Sequence, residues 1–325
     1  MQLENLREAY LEGKIEKKLY WQIVRENFTS VLPQIQEAVK NNSEIRSIEI
    51  CNDGVILTGN NGMRHYFFFD ETFCRAEAEL SGNGDYEKQD MDLVVRYLSK
   101  TGGNVVFDIG ANAGLYSLNM NAEFRGGKYT LFEPLPTTYK KMLMNLRLNC
   151  VDDSSFKPVN AGMSDKKGSF DFYLPGASEA ASMQPINDKF YLQNSDEKGN
   201  YTGSNDMKKV ECKVTTLDSY VQENRVDNID FIKIDVEGNE KFVLQGGVET
   251  LKKFHPLVYC ELLRKHSRRF GYHPNDAVIF MRNLGYDFLT IHDGKLMAID
   301  GVDEDTVETN FFFATPEQKQ IISVR

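Results

Sequence analysis

The chain has 325 residues, enough for one large domain with a full hydrophobic core and a smaller appendage. Its formal charge of -10 argues against non-specific binding to nucleic acid or to anionic membranes. No apolar run approaches the roughly 20 residues of a membrane span, and the charged N-terminus lacks the apolar stretch of a signal peptide. The five cysteines are scattered and form no CxxC pair, which predicts reduced thiols in a cytoplasmic protein.

Residues 1–84 are predicted to form an extension of helices and β-hairpins, ahead of a main domain assigned to residues 85–325. Apolar residues recur at near-helical spacing among charges from residue 1 to about residue 41, which predicts helix with an interruption at Pro33. β-Forming residues at 45–73 are punctuated by Asn-Asp-Gly and Gly-Asn-Asn-Gly, which predicts a small antiparallel sheet. The amphipathic N-terminal stretch is also a candidate subunit contact, through which the chain would form a homodimer.

The main domain is organised around one stretch, residues 104–120, with the sequence NVVFDIGANAGLYSLNM. It begins with a short apolar run typical of a strand buried on both faces, and this strand ends in an acid, Asp108. Gly110 and Gly114 follow, and apolar residues then recur as on the buried side of a helix. A strand, a glycine turn and a helix open many nucleotide-binding α/β domains, and the free N–H groups at the helix start favour an anionic group.

The spacing of this turn distinguishes between ligands. Dinucleotide-binding folds carry G-x-G-x-x-G, whereas this chain carries D-x-G-x-x-x-G, with Asp108 before the first glycine. A carboxylate in that place is positioned to meet a cationic amine, which a pyrophosphate lacks. A ligand with an amine, a carboxylate and a ribose fits, and S-adenosylmethionine (SAM) is such a ligand. The alternative is a tight strand-to-helix turn that binds no ligand.

A second acid ends the second predicted strand, KYTLFE. Glu133 lies 25 residues after Asp108, and an acid at this place in such folds accepts hydrogen bonds from both ribose hydroxyls. The alternative is a solvated loop glutamate. After the third predicted strand, residues 156–160, a loop with the sequence AGMSD carries Ser164 and Asp165 where an adenine ring would lie. The sequence thus predicts contacts to both halves of an adenosine.

The fourth predicted strand carries charged residues where a buried strand is expected, in the sequence IDFIKIDVEGNE. Lys233 and Asp235 point to one side of this strand, and a buried lysine needs a partner carboxylate. Asp235 ends the strand beside the tip of the first strand, and Glu237 follows in the loop. The alternative is an ion pair that only satisfies buried charge. The fifth strand, LVYCEL, carries Glu261 near its end, and His266 lies in the basic loop after it.

The rest of the chain completes an α/β pattern. A polar stretch at 176–208 is either a lid or acceptor-binding loop or a plain insertion. Gly246-Gly247 breaks a helix predicted over 240–253. Two closing strands, at 286–292 and 310–315, are joined by an acidic loop. The sequence contains no P-loop, zinc-protease or nucleophile-elbow motif.

Three motifs carry a resemblance to a known family: DIGANAG from Asp108, FEP at 132–134, and IDVEGNE, which ends at Glu240. In this order and spacing they resemble the FkbM-type family of class I SAM-dependent methyltransferases, over about residues 85–315. The resemblance implies an α/β, Rossmann-like fold with a seven-stranded, mostly parallel sheet that ends in a C-terminal antiparallel hairpin. It also implies SAM as the cofactor and O-methylation of a hydroxyl on a sugar, glycolipid or natural-product acceptor.

By position, the resemblance implies that one group of residues cradles the methionine part of SAM: Asp108, Gly110, Asn112 and Gly114. It implies that Glu133 holds the ribose.

On the acceptor side, the resemblance implies that Asp235 and Glu237 face the acceptor. An alcohol is a weak nucleophile, so a general base near the methyl group helps. Asp235 is the first candidate for this base, and Glu261 and His266 are further candidates. A cluster of Asp235, Glu237 and Glu261 is alternatively a Mg²⁺ site that would orient a diol and lower its pKa.

Two other classes of function stay open. A nicotinamide-dependent oxidoreductase uses the same architecture, although the glycine spacing of this chain differs from that class. A non-catalytic module would keep the fold and use the N-terminal helices for contacts with a partner. For the methyltransferase, the expected partner is a small-molecule or saccharide acceptor and not a nucleic acid.

Overall fold

The computed structural model describes residues 3–26, 45–59, 62–68, 87–149, 154–174, 181–185, 208–292 and 294–323. Its helices are α1 (Leu3–Leu11), α2 (17–26), α3 (Lys88–Thr101), α4 (Leu115–Glu123), α5 (Pro136–Leu148), α6 (Leu217–Glu223), α7 (Glu240–Gln245), α8 (Val248–Phe254), α9 (Arg264–Arg269), α10 (Pro274–Asn283) and α11 (Pro316–Ser323). The strands are β1 (Ile45–Ile50), β2 (Gly54–Gly59), β3 (Arg64–Phe68), β4 (Val105–Ile109), β5 (Lys128–Phe132), β6 (Phe156–Val159), β7 (Gly162–Met163), β8 (Gly168–Leu174), β9 (Lys208–Thr215), β10 (Phe231–Ile234), β11 (Leu257–Glu261), β12 (Asp287–His292), β13 (Lys295–Ala298) and β14 (Asn310–Ala314).

The central sheet has the order β13-β12-β14-β11-β10-β4-β5-β6. The five strands from β11 to β6 are parallel, and β14 runs antiparallel between β11 and β12. The predicted α/β fold with a mostly parallel sheet and a closing antiparallel hairpin is therefore confirmed. The strand order reverses direction at β4, which has β5 on one side and β10 on the other.

The number of strands differs from the expectation. The resemblance implies seven strands, whereas eight are found among the described residues, because β13 pairs antiparallel with β12. This strand lies in the segment predicted as an acidic loop. Its four residues are mostly exposed and do not alternate between apolar and polar, so they carry little of the pattern that identifies a strand.

Alternation along the buried strands divides the hydrophobic core into two layers. Phe107 and Ile109 of β4 contact one cluster, whose helical members come from α6, α7, α8 and α10. Val106 contacts the other cluster, whose helical members come from α3, α4, α5 and α11. Helices thus cover both faces of the sheet, as expected for a parallel sheet that is apolar on both sides.

The N-terminal part of the chain forms two helices, α1 and α2, where the sequence predicts a helix without a break before Pro33. The chain is helical in α1 and α2, with a break between them at Gly13, which has a φ of +72° and favours the end of a helix. Residues 27–44, where the rest of the predicted helix falls, lie outside the described residues, and so does Pro33. Whether this part forms a homodimer contact stays a prediction.

The predicted small sheet is confirmed, since β1, β2 and β3 form an antiparallel sheet. It is fixed to the main domain by two asparagines at the end of α5. The side chains of Asn145 and Asn149 accept hydrogen bonds from the backbone N–H groups of Tyr66 and Arg64, each at 2.8 Å. The boundary predicted at 84/85 lies outside the described residues and stays a prediction.

Two further segments bear on the cavity described below. The strands β7, β9 and β8 form a third sheet, and residues 181–185 contact it through backbone hydrogen bonds between Ser182 and Tyr173. The remainder of the predicted lid or insertion at 176–208 lies outside the described residues, apart from the first residue of β9. The basic segment after β11, predicted as a loop, is instead the short helix α9.

None of the helices in the described part of the chain is both long enough and apolar enough to cross a membrane.

Candidate active site

A cavity of about 260 Å³ lies at the carboxyl ends of the parallel strands. Its lining includes residues 110–113 after β4, residues 133–135 after β5 and residues 235–237 after β10. Further lining residues come from the end of β11 and from α9. The cavity therefore lies where the strand order reverses, which is the place where open α/β sheets bind their ligands.

The glycine turn after β4 forms the floor of the cavity. Gly110 has a φ of +84°, and a Cβ atom built on it would lie 1.8 Å from the backbone oxygen of Asp235. The backbone N–H groups of Gly110 and Ala111 both donate to the oxygen of Phe132, at 3.0 and 2.9 Å. Gly114, with a φ of +80°, precedes α4. The turn requires glycine because only glycine lets two loops approach this closely in a left-handed conformation.

Replacing Gly110 with alanine is expected to lower the free energy of unfolding by more than about 3 kcal/mol. The left-handed backbone costs an alanine about 1–2 kcal/mol, and the contact with the backbone of Asp235 adds to it. Urea denaturation measures the change. Gly126→Ala is the matched control, because Gly126 has a φ of +97° and open space around its Cβ position. Equal losses in the two variants would contradict the close approach.

Asp108, predicted to meet an amine, is fully buried and is not among the residues that line the cavity. Its Oδ2 atom accepts a hydrogen bond from the Ser117 hydroxyl at 2.6 Å. Its Oδ1 atom is also buried and makes no hydrogen bond with the described residues. Burial raises the pKa of Asp108, although the nearby cation of Lys233 lowers it in part. Direct contact between Asp108 and an amine stays a prediction.

Glu133, predicted to hold a ribose, lines the cavity at the tip of β5. The backbone N–H groups of Leu135 and Asn112 donate to its two carboxylate oxygens at 2.8 and 3.1 Å, which fixes the side chain. Asn112 itself lines the cavity and has a φ of +50°, which asparagine tolerates better than most residues. Burial raises the pKa of Glu133 to about 8.

The loop predicted to hold an adenine ring contributes different residues from those expected. Ser164 and Asp165 are not among the lining residues, whereas Gly162 and Met163 just before them are. The backbone N–H of Ser164 donates to the backbone oxygen of Thr215 at the end of β9, and its hydroxyl donates to Asn239. An apolar part of the wall is formed by four side chains: Leu135, Met163, Phe172 and Met183.

Lys233 is 3% exposed, and its ammonium lies 3.0 Å from Oδ2 of Asp235. The predicted pairing of this buried lysine with a carboxylate is confirmed. The ammonium also lies 5.3 Å from the ring centroid of Tyr116. Burial disfavours the charge on Lys233, but the carboxylates of Asp235 and Glu87 outweigh that effect and raise its pKa. Both Lys233 and Asp235 line the cavity.

The lining residues that were not identified from the sequence include Glu87 and Tyr116. Glu87, just before α3, has a buried Oε2 atom that makes no hydrogen bond with the described residues. Burial raises the pKa of Glu87 to about 7, while Lys233 lowers it in part. Tyr116 is 3% exposed, and its buried hydroxyl also has no hydrogen-bond partner among the described residues. Tyr116 lies two residues after Gly114 of the glycine turn, and this position is a signal in the sequence that points to it.

A second cluster lies at another part of the wall. Nδ1 of His266 is 3.1 Å from Oε2 of Glu237 and 3.9 Å from Oε2 of Glu261. Burial and the charge of Asp235 raise the pKa values of both glutamates. The Mg²⁺ hypothesis grouped Asp235 with these two glutamates, whereas the structure pairs Asp235 with Lys233 and brings His266 to the glutamates instead.

The fold and this cavity define a class of protein. A Rossmann-like sheet that reverses its order at β4, carries an antiparallel strand β14 and has a cavity at the strand tips is the architecture of class I SAM-dependent methyltransferases. The family profile described as "Methyltransferase FkbM domain" matches residues 108–288, more than half of the chain. The chain belongs to this family.

Curated relatives agree with this assignment. Methyltransferase sdnD from Sordaria araneosa is 30% identical over 154 residues, which cover 43% of this chain and 59% of the relative. The 31-O-demethyl-FK506 methyltransferase FkbM from Streptomyces tacrolimicus is 31% identical over 159 residues, which cover 44% of this chain and 59% of the relative. The matches thus span less than two thirds of the length of these two relatives. A solved structure, methyltransferase FkbM from Methylobacillus flagellatus KT, has a TM-score of 0.40 at 14% identity and covers 65% of this chain and 43% of that one.

Proposed function

We propose that this chain transfers a methyl group from SAM to a hydroxyl oxygen of a small-molecule acceptor, such as a sugar, a glycolipid or another natural product. The observation that carries this proposal is the carboxylate of Glu133, which is fixed by two backbone N–H groups beside the glycine turn in the cavity. An acid in this place suits the two hydroxyls of a ribose. One relative is named for the methylation of an oxygen, which supports the choice of acceptor atom.

The remaining walls of the cavity suit the other parts of SAM. The free N–H groups at the start of α4, just after the glycine turn, suit the carboxylate of the methionine part. The carboxylate of Glu87 and the hydroxyl of Tyr116, which lack partners among the described residues, suit its ammonium group. The apolar wall around Met163 and Phe172 suits a flat adenine ring.

The chemistry divides between the cofactor and the chain. Bound SAM supplies a methyl group on a positively charged sulfur, so the protein need not activate the methyl donor. The chain positions the acceptor oxygen and removes its proton. Asp235 is the proposed base because it lines the cavity at the tip of β10, directly beside the turn at Gly110. Lys233 holds one oxygen of this carboxylate, which leaves the other for the acceptor hydroxyl.

Calorimetric titration with SAM and with S-adenosylhomocysteine tests the proposal. We expect binding in the micromolar range, weakened by about 100-fold in Glu133→Ala because the hydrogen bonds to the ribose are lost. Glu87→Ala is expected to weaken binding as well, through the ammonium group, and Asp108→Ala tests the contact with the amine that the sequence predicts. Glu249→Ala is the control, because this glutamate is exposed on α8, outside the cavity. If a folded sample bound neither compound, the proposal would be wrong, and the same titration with NAD would test the oxidoreductase alternative.

The affinity for SAM is expected to increase as the pH rises towards about 8. Burial raises the pKa of Glu133 to about 8, so the free protein holds this carboxyl protonated at neutral pH. The ribose hydroxyls donate to the ionised form, so the dissociation constant should fall by up to about tenfold per pH unit and level off once Glu133 ionises.

Titrations between about pH 6 and about pH 9 measure this dependence. Glu133→Gln should remove the change in affinity for SAM near pH 8. Glu87→Gln should instead remove a change in affinity for SAM near pH 7, since burial raises the pKa of that carboxyl to about 7. A profile that is unchanged in Glu133→Gln would assign the proton to another group.

A further inference from the structure

The cluster of Glu237, Glu261 and His266 has the composition and spacing of a metal site. Its members come from three separate elements: the loop after β10, the last residue of β11 and helix α9. Each offers one ligand atom, and these three atoms all lie within 4.8 Å of one another. A single cation placed between them would therefore contact all three with small rotations of the side chains.

The burial of the cluster also points to a ligand. His266 is 3% exposed, and the side chains of Glu237 and Glu261 are 18% and 20% exposed. Oε2 of Glu237 is shielded from solvent, and Nδ1 of His266 approaches it to 3.1 Å. Two carboxylates that are mostly removed from water and lie this close together repel one another, and a cation bound between them would offset that repulsion. All three residues also line the cavity, so a cation has a path to them.

The type of ligand atoms selects the type of cation. Mg²⁺ prefers oxygen ligands and keeps several waters, whereas an imidazole nitrogen suits Mn²⁺, Zn²⁺ and their neighbours. A set of Asp235, Glu237 and Glu261 would offer only oxygen ligands. The carboxylate of Asp235, however, lies 3.0 Å from the ammonium of Lys233. We infer that Glu237, Glu261 and His266 bind a divalent transition-metal cation, of the Mn²⁺ or Zn²⁺ class, at the wall of the cavity.

The role of this cation rests on the proposed function. With three protein ligands, the cation has open positions for a hydroxyl of the acceptor. It orients that hydroxyl and lowers its pKa, so the proton passes more easily to Asp235. An acceptor with two neighbouring hydroxyls, as in many sugars, would bind the cation through both oxygens.

The binding of the cation is tested without SAM and without an acceptor. Purified full-length protein, treated with a chelator and dialysed, is titrated with Mn²⁺, and the electron paramagnetic resonance signal of free Mn²⁺ reports the bound fraction. A parallel titration with Zn²⁺ is followed by calorimetry. We expect one cation per chain, with the affinity reduced about 100-fold in His266→Gln and in Glu261→Gln.

His292→Gln is the matched control, because His292 also contacts a glutamate, Glu308, but lies at the surface with its side chain 52% exposed. It should leave the binding of the cation unchanged. If the wild-type protein bound neither Mn²⁺ nor Zn²⁺, or if binding were equal in His266→Gln, Glu261→Gln and wild type, the inference would be overturned. Failure of the SAM titration would instead overturn the proposed function and leave the result with the cation in place.

Discussion

Replacing Asp235 with asparagine is expected to lower the turnover of methyl transfer by about 100- to 10,000-fold, which is the usual contribution of a general base. The affinity for SAM should stay close to that of the wild type, because none of the proposed contacts of the cofactor is made by Asp235. An asparagine keeps the shape of the side chain and still accepts the hydrogen bond from Lys233, but it cannot take a proton.

Two measurements separate the predicted effects of this substitution. Calorimetry gives the affinity for SAM, and transfer of a labelled methyl group to acceptors found in a screen of sugars and glycosides gives the turnover. Asp276→Asn is the control, because Asp276 also pairs with a lysine, Lys241, but lies outside the cavity. Lost affinity for SAM with normal turnover at saturation would show that Asp235 belongs to the cofactor site and is not the base.

Replacing Lys233 with methionine is expected to destabilise the fold by about 3–5 kcal/mol, the cost of removing one partner of a buried ion pair. The substitution keeps much of the apolar length of the side chain but leaves the carboxylates of Asp235, Glu87 and Asp108 without their common cation. Burial raises the pKa values of Glu87 and Asp108, and Lys233 at present opposes this rise. Urea denaturation of the two proteins at pH 7 measures the loss.

The loss should depend on pH in a defined direction. Without Lys233 the pKa values of Glu87 and Asp108 in the folded state rise further above those of the unfolded chain, so stability falls as the pH increases. The difference between Lys233→Met and wild type should therefore be smaller at about pH 5 than at about pH 8.

Lys241→Met is the matched control for burial. Lys241 lies 3.4 Å from Asp276 and 5.2 Å from the ring centroid of Tyr272, so it has the same two kinds of partner as Lys233. Its side chain is 22% exposed and that of Asp276 is 45% exposed, so solvent weakens the pair. We expect a loss below about 1 kcal/mol. Similar losses in the two variants would contradict the importance of burial around Lys233.

Predictions that rest on neighbouring residues were confirmed. The hairpin signals placed β1, β2 and β3, and Gly246-Gly247 separates α7 from α8 as expected. The apolar runs placed β4, β5, β10 and β11. Three acids at or just after the ends of these strands, Glu133, Asp235 and Glu261, line one cavity because the carboxyl ends of parallel strands meet at one edge. Lys233 has its predicted carboxylate because the two residues are only two positions apart on one side of the strand.

Features that depend on distant residues were missed or assigned differently. Strand β13 exists through its pairing with β12, and its own four residues do not alternate between apolar and polar, so they do not identify it as a strand. Glu87 reaches the cavity although it lies more than 20 residues before the glycine turn. His266 was predicted to lie in a loop, whereas helix α9 brings its ring to Glu237.

The sequence by itself determined the family, the strands of the parallel core and the acids near their ends, because these follow from local patterns of hydrophobicity and from the spacing of glycines. Only the tertiary structure decided which of the acids act together. Asp235 is paired with Lys233, and Glu237 is placed with Glu261 and His266. This division depends on distances of a few ångströms between separate elements, and the energy of two charges depends on that distance and on their burial, neither of which a linear sequence contains.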